Sequence, residues 1–467
     1  MSLTLTNGAM RRPATGLILL TMSLGVLIAQ IDTSVVNLAA KPIGAEFSAS
    51  VTALQWIVDV YNLVYASLLL SAGTLADLYG RRLIFTLGIA LFTLGTLVCG
   101  LAPDVATLVV GRGLAGLGAA LEVPASLAIL TIAYPDTKER TRALGIWASC
   151  YGIAMVVGPI TGGALVDATG WRSIFLLILP FCAFTLLLTM TSVPESSSPQ
   201  GRRLDLPGQA IAILALGSFS LAAIQGPQWG WASTQSVAAF SFSIVMGVLF
   251  FRRQAGAAGA LIPLSILRHR VFAACLAVAA AMTFGAYAML FLTPLYFQAA
   301  RGAPALYAAL ALLPMSLSFI VASQLSGVIA NKLGPRVPMT AGMTLMGFGL
   351  LMLALIALND SIAMIETALL VIGCGLGLNA GPMNAVAVAN VPAMRSGTAS
   401  GLVNTARMLG ATLGVAVLGA VFAMHVAEGA GTEGLAPAYL GGGIGELIGA
   451  VVAFAFIRRD SLRQHAE

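Results

Sequence analysis

The chain has 467 residues, of which 58% are hydrophobic and only 9% charged, and its mean hydropathy is +0.94. That balance excludes a soluble domain. Apolar runs of about 20 residues recur along the whole length, each long enough for a helix to cross a hydrocarbon core of roughly 30 Å. They are apolar all round instead of alternating, which excludes a β-barrel as well. The net charge of +6 does not point to nucleic acid, because the basic residues sit in short loops between apolar runs and report orientation in a lipid bilayer.

The runs predict an all-α integral membrane protein with fourteen transmembrane helices at roughly 14–38, 51–72, 82–102, 105–132, 141–168, 172–192, 205–226, 235–251, 271–299, 305–331, 336–357, 361–388, 396–424 and 437–458. Arg11 and Arg12 precede the first run as in a secretory signal, but the run is longer than a signal core and more spans follow at once, so it reads as span 1. An even count puts both termini on one side. Nineteen of the 24 Lys and Arg residues lie on the termini or on loops that follow even spans, among them Arg81, Arg82, Lys138, Arg140, Arg142, Arg202, Arg203, Arg252, Arg253, Lys332, Arg336, Arg395 and Arg463. The opposite loops hold only Lys41, Arg172 and Arg301, while Arg112 and Arg407 fall within spans. The positive-inside rule therefore predicts a multi-pass protein of the cytoplasmic (inner) membrane with both termini cytoplasmic. Cys99, Cys150, Cys182, Cys275 and Cys374 lie inside apolar runs without CxxC spacing, so neither disulfides nor a metal is indicated.

The segment "AGTLADLYGRR" from Ala72 recurs as "SGVIANKLGPR" from Ser326, an offset of 254 residues that keeps Gly73/Gly327, Ala76/Ala330, Gly80/Gly334 and Arg82/Arg336. Both copies join an even span to the next odd one, so the two halves run parallel. Eight spans separate the copies where a twelve-span plan has six. The chain thus divides into an N-terminal six-helix bundle (1–200), two inserted transmembrane helices (201–255) and a C-terminal six-helix bundle (256–467). Parallel halves about a central cleft are the plan of a secondary transporter, in which a small molecule binds near the midplane between rocking bundles.

Five stretches carry a family resemblance. "GTLADLYGRR" (Gly73 to Arg82), "GRGLAGLGAALEVPAS" (Gly111 to Ser126) and "GIAMVVGPITGG" (Gly152 to Gly163) are similar to motifs A, B and C of the major facilitator superfamily, and "IDTSVVNLA" and "QWIVDVYNL" to span 1 and span 2 signatures. On these residues nearly the whole chain resembles the fourteen-span drug:proton antiporter family, with the major facilitator fold. Motif A alone implies the superfamily; motif C with the two-helix insertion points to export.

In motif A, Gly73 is expected to allow close helix packing and Gly80 a tight turn before Arg81 and Arg82. The resemblance implies that Asp77 engages the N-terminus of span 13 near Ser396 and holds the cytoplasmic side shut, a carboxylate being favourable at a helix N-terminus. Asn331 replaces it in the second copy, so no matching charged latch is expected there. In motif C, Gly158 and Gly162, and likewise Pro159 and Gly163, are four residues apart and line one face of span 5 with small residues. The resemblance adds a bend that closes the leak in exporters. The counterpart "MLGATLGVAV" from Met408 keeps Gly410 and Gly414 but has Ala411 for the proline. "GRGLAG" also fits a dinucleotide fingerprint, but that motif needs a strand before a helix in a soluble domain. There is no GxxxxGK[ST] for ATP.

Ionisable residues at membrane depth are hypotheses about function. Counted from the outer span ends at about 1.5 Å per residue, Asp32 lies roughly 9 Å in, Asp59 roughly 12 Å and Arg112 roughly 10 Å, one shared layer, with Glu122 roughly 25 Å in. An arginine within about 4–6 Å changes a carboxylate's proton affinity, so rocking that moves Arg112 would switch Asp32 or Asp59. The proton-coupling set is therefore Asp32, Asp59, Arg112 and Glu122; His269, His425 and His465 lie outside the spans. Asp32 also reads as a structural ion pair, and Asp59 as a contact for a cationic substrate beside Trp56, Tyr61 and Tyr65. Glu122 departs from the family pattern, which has an apolar residue before Pro124, and marks either substrate preference or a second proton site. Asn379, Asn384, Asn404 and Arg407 are the polar cleft residues expected from the second half, with Tyr287, Phe291 and Phe297 read as packing.

The expected function is proton-coupled antiport: a monomeric exporter of lipophilic, cationic or amphipathic drugs or toxic compounds, with protons as coupling ion and no catalytic residues, metal, cofactor or nucleic-acid partner. The alternatives are a narrow exporter of one neutral or anionic metabolite or antibiotic, and a proton-coupled importer, against which motif C argues.

Overall fold

A computed structural model describes residues 12–198, 204–256, 264–356, 361–391, 396–427 and 434–461. Arg11, Arg202, Arg203, Arg395, Arg463 and His465 lie outside the described residues. The first half comprises α1 (Arg12–Phe47), α2 (Val51–Tyr79), α3 (Arg81–Gly100), α4 (Val105–Ala133), α5 (Thr137–Thr169), α6 (Arg172–Leu176) and α7 (Ile178–Ser192). The insertion is α8 (Leu206–Trp229) and α9 (Thr234–Gly256). The second half comprises α10 (Leu264–Leu267), α11 (Arg270–Ala299), α12 (Ala305–Ala311), α13 (Leu313–Leu333), α14 (Arg336–Ile356), α15 (Ile362–Ala389), α16 (Ser396–Ala427) and α17 (Leu435–Phe456). Among the described residues, α6 with α7 and α12 with α13 each form one span, and α2 counts as one span with a 54° bend between Leu69 and Ser71, which gives fourteen.

The boundaries follow local chemistry. Ser50, Asp104, Asp136 and Asp205 cap α2, α4, α5 and α8 by accepting hydrogen bonds from first-turn N–H groups. Gly80, Gly170, Gly230 and Gly334 end α2, α5, α8 and α13 at positive φ. At Asp205, burial alone would raise the carboxyl, but hydrogen bonds from the Arg253 side chain, the Gly208 N–H and the Gln254 side chain outweigh it and hold the group below the ordinary carboxylate range.

Two predicted ends are corrected. α1 continues to Phe47 instead of stopping near 38, because the polar stretch beyond the lipid stays helical and is tied down where the Glu46 carboxylate meets Arg172 at 2.7 Å and the Trp171 indole. α2 continues through motif A to Tyr79, so only Gly80 turns. Helix ends are therefore not a common datum for depth.

The internal repeat appears as repeated packing. α3 against α4, α2 against α4 and α1 against α5 recur as α14 against α15, α13 against α15 and α11 against α16. Each half buries its own apolar core, and a third cluster joins them through α1, α2, α11 and α12. α8 packs on α9 and also on α2 and α16, so the insertion flanks the seam where one helix from each half meets.

Candidate functional site

With fourteen spans, the first and last described residues, Arg12 and Ser461, fall at one end of the bundle, the near end. Among the described residues, hydrogen bonds between the halves run from the middle to the far end. Gln298 donates to the Leu38 carbonyl at 2.9 Å, and Lys41 donates to the Gln298 carbonyl. Gln55 on α2 donates to the Val415 carbonyl on α16 at 2.9 Å. The Asp167 carboxylate accepts from the N–H groups of Ala305 and Leu306 at 2.9 and 2.8 Å, and so caps α12 from the opposite half.

Motif C forms part of this closure. A Cβ on Gly158 would meet the Ser34 side chain and one on Gly162 the Val35 side chain, both on α1, whereas one on Gly163 would stand 2.7 Å from Leu306 Cα on α12. The small residues therefore serve two adjoining faces instead of the single face expected: one holds α1, the other lets the second half approach. Pro159 lines a cavity of ≈ 40 Å³ between α1, α5, α11 and α13, and α5 stays one continuous helix through it.

At mid-depth the halves enclose a second cavity of ≈ 20 Å³, room for about one water. Gln30, Thr33, Tyr61, Asn62, Tyr65 and Tyr151 line it from the first half; Tyr287, Asn404, Arg407 and Met408 line it from the second. Asn404 Nδ2 donates to the Tyr65 hydroxyl at 3.3 Å across the seam, and the Tyr61 and Tyr65 rings are 6.3 Å apart. No carboxylate lines this cleft among the described residues, so its surface offers no counter-charge to the cationic compound expected from sequence.

Directly behind Tyr61 lies the charge pair. Arg112 Nη1 meets Asp32 Oδ2 at 2.5 Å, its Nε donates to the Ile57 carbonyl at 3.1 Å, and its guanidinium stands 4.4 Å from the Tyr61 ring centre. Arg112 and Asp32 are each 1% exposed, and Asp32 Oδ1 has no partner among the described residues. Asp59 shares their depth but not their face. It is fully buried on the side of α2 that carries Gln55, with both oxygens unpaired, and faces Ser220 of α8. The expected three-residue layer is thus one pair and one separate acid.

The other expected residues divide similarly. Glu122 is fully buried inside the first half against Gly88 of α3, with both oxygens unpaired. Trp56 packs with Ala223, Ile224 and Ala416 beside Asp59, not with the tyrosines. Asn379 turns into the second-half core, its Nδ2 at 2.9 Å from Met343 Sδ, and Asn384 donates to the Ala380 carbonyl of its own helix. Neither lines the cleft. Tyr61, Tyr65, Asn404 and Arg407 do, and so does Tyr287, which was expected to pack.

In motif A, Asp77 accepts from Arg81 at 2.8 Å, the Arg81 N–H donates to the Ser196 carbonyl at 2.9 Å, and the Glu195 carboxylate accepts from the N–H groups of Arg82 and Leu83 at 3.0 Å. The motif is thereby bound to the segment that follows α7. The side chains of 396–398, where Asp77 was expected to find a helix N-terminus, lie outside the described residues. Gly80 has φ 117°, as its turn requires. Gly73 does not need to be glycine for packing: a Cβ there would make only an ordinary 3.8 Å contact with Pro124.

Sequence reasoning missed Glu446, fully buried on α17 against Gly285 with both oxygens unpaired. It is the one acid within its own apolar span, α17, the signal that singled out Asp32. Gln30, Asn62 and Tyr151 carried no comparable signal.

The family model for the Major Facilitator Superfamily matches residues 22–415. The chain is 40% identical over 407 residues to the multidrug resistance protein Stp of Mycobacterium tuberculosis, covering 87% of this chain and 76% of that one. It is 32% identical over 456 residues to the methylenomycin A resistance protein of Streptomyces coelicolor, covering 98% and 95%. Among solved structures, a bacterial homologue of the human lysosomal transporter Spinster superposes with a TM-score of 0.67 at 19% identity over 95% of this chain and 97% of that one, a likeness of fold. The chain belongs to the major facilitator superfamily and is a transporter, not an enzyme.

Proposed function

We propose that this protein is a proton-driven antiporter of the cytoplasmic membrane that expels lipophilic, amphipathic compounds by alternating access. It works as a monomer with both termini cytoplasmic and with protons as its only coupling ion. The observation that carries the reading is the buried Asp32–Arg112 pair, separated from the cleft by a single ring, Tyr61.

While the pair is closed, the guanidinium matches the carboxylate charge. Movement of α4 away from α1 removes that match and leaves the carboxylate to bind a proton in place of the arginine, and a compound whose binding lets the pair re-form expels that proton, as antiport requires. The positive-inside distribution makes the far end the outside, so the hydrogen bonds there correspond to a state shut toward the exterior. The drug- and antibiotic-resistance names of the relatives support export over import.

Inside-out vesicles test this. With an acidified lumen, lipophilic dyes should accumulate inside, and a protonophore should abolish the accumulation. Accumulation indifferent to the gradient, or favoured by an alkaline lumen, would overturn the reading.

A further inference from the structure

Among the described residues that line the cleft, Arg407 is the only one with a charged side chain. It comes from α16, three residues from Asn404, and among the described residues its guanidinium has no hydrogen bond or carboxylate partner, the Nε being buried without an acceptor. Arginines at membrane depth ordinarily pair with another group, as Arg112 does here. The acids nearby are not available to it: Asp32 is held by Arg112, while Asp59 and Glu122 are fully buried in other packing faces and do not line the cleft. The rest of the wall offers ring faces and hydroxyl or amide groups from Tyr61, Tyr65, Tyr151, Tyr287 and Asn404. Flat aromatic bodies stack on such faces, and a guanidinium fork matches two oxygens of an anion.

We propose that the cleft selects amphipathic aromatic acids, with the ring system among the tyrosines and a carboxylate, or an ionised enol or phenol oxygen, on the unpaired guanidinium of Arg407. Arg407 is then the specificity residue of this site. A cationic compound in the same place would lie beside an unneutralised arginine. The inference rests on the cleft being the transport site proposed above, but binding tests it without transport.

The probes are anthracene-2-carboxylate, its neutral amide and the corresponding aminomethyl cation, titrated by fluorescence anisotropy at neutral pH into the purified full chain in lipid nanodiscs. The acid should bind at least tenfold more tightly than the amide or the cation. Arg407→Gln should abolish that preference, and thermal unfolding of the variant close to that of the parent reports that it is folded. Arg407→Lys, which keeps the charge without the fork, should retain part of it. The inference is overturned if the acid does not bind, if the cation binds as tightly as the acid, or if Arg407→Gln leaves acid binding intact. The same three probes in inside-out vesicles separate the two readings. An acid that binds through Arg407 yet is not accumulated on lumen acidification defeats proton-driven export and leaves the selectivity standing. Proton-driven accumulation of the cation in preference to the acid defeats the selectivity and leaves export standing.

Discussion

The Asp32–Arg112 pair can be either a proton switch or scaffolding, and a set of three variants decides between them. Arg112 makes three contacts that Asp32→Asn would not remove equally: the 2.5 Å contact to Asp32, the bond to the Ile57 carbonyl and the face of Tyr61 at 4.4 Å. Removing one partner of a buried pair costs about 3–5 kcal/mol, because the other is left uncompensated, whereas replacing both by apolar groups of similar size is neutral or stabilising by about 1–4 kcal/mol. Asp32→Asn keeps the Ile57 and Tyr61 contacts and an acceptor oxygen, so it should fall near the low end, about 3 kcal/mol. Arg112→Met also forfeits a cation–π contact of about 0.5–2 kcal/mol and should be the worse of the two. The double variant Asp32→Leu/Arg112→Met should recover most of the lost stability. Thermal unfolding of the purified protein gives this ordering, and substrate-induced proton release from inside-out vesicles gives the function. All three variants should lose coupled transport, the double variant included. A double variant that regains both stability and proton coupling would refute the mechanism and leave the pair as scaffolding.

Three further outcomes follow from particular contacts. Gly163→Ala would place a Cβ 2.7 Å from Leu306 Cα and 2.9 Å from the Ala305 carbonyl, so closure at the far end should weaken by about 1–3 kcal/mol, and a thiol introduced at Asn37 should label faster from that side than in the parent. Gly80→Ala combines φ 117° with a Cβ 2.7 Å from the Glu195 carboxyl carbon, and should cost at least about 1–2 kcal/mol in thermal unfolding; no loss would remove the strained turn from motif A. Asp205 has its folded pKa lowered, so its stabilisation is present above the unfolded value of about 3.9 and is lost as pH falls through the folded one. Asp205→Ala should therefore cost about 0.5–2 kcal/mol near neutrality, with the difference from the parent shrinking below about pH 4; a difference that grows with acid would contradict the sign.

The sequence made the fold legible where the signal is long and periodic. Apolar runs located every span, and the "GTLADLYGRR" repeat fixed the parallel halves because a turn requiring positive φ at Gly80 and Gly334 tolerates little variation. Depth along a helix was also legible: Asp32 and Arg112 do meet. Azimuth was not, and the errors lie there. Asp59 and Tyr61 are two residues apart, which on a helix means nearly opposite faces, so the same stretch supplies a cleft-lining ring and an acid sealed against α8. Asn379 and Asn404 look alike in sequence, yet one is turned into a helix interface inside its half and the other bridges the seam. Only tertiary packing tells which face of an all-apolar helix meets which neighbour. Glu446 is a different case: the rule that selected Asp32 applied to it equally.

Symmetry of scaffold and asymmetry of chemistry have separate origins in this chain. The repeated part is backbone contact: Gly158 and Gly162 meet α1 as Gly410 and Gly414 meet α11, and the Gly80 turn rests on Glu195 as the Gly334 turn rests on Arg459. These contacts depend on small residues at fixed spacing, so duplication preserves them and gives two rigid bodies of the same build. The charged residues at depth do not repeat. The first half holds the paired Asp32 and Arg112 and the motif A carboxylate Asp77, while the second has Asn331 in place of that carboxylate and Arg407, unpaired among the described residues, facing the cleft. Two like bodies rocking about one seam therefore present unlike walls to whatever lies between them. Val415, the counterpart of Gly163 in the repeat, shows how the difference is used: its carbonyl receives Gln55 at the far end, while Gly163 on the opposite edge admits α12. One edge of the seam closes by the Gln55 amide on a backbone carbonyl and the other by backbone contact at Gly163 together with the Asp167 carboxylate on the N–H groups of Ala305 and Leu306, so the two edges close by different chemistry.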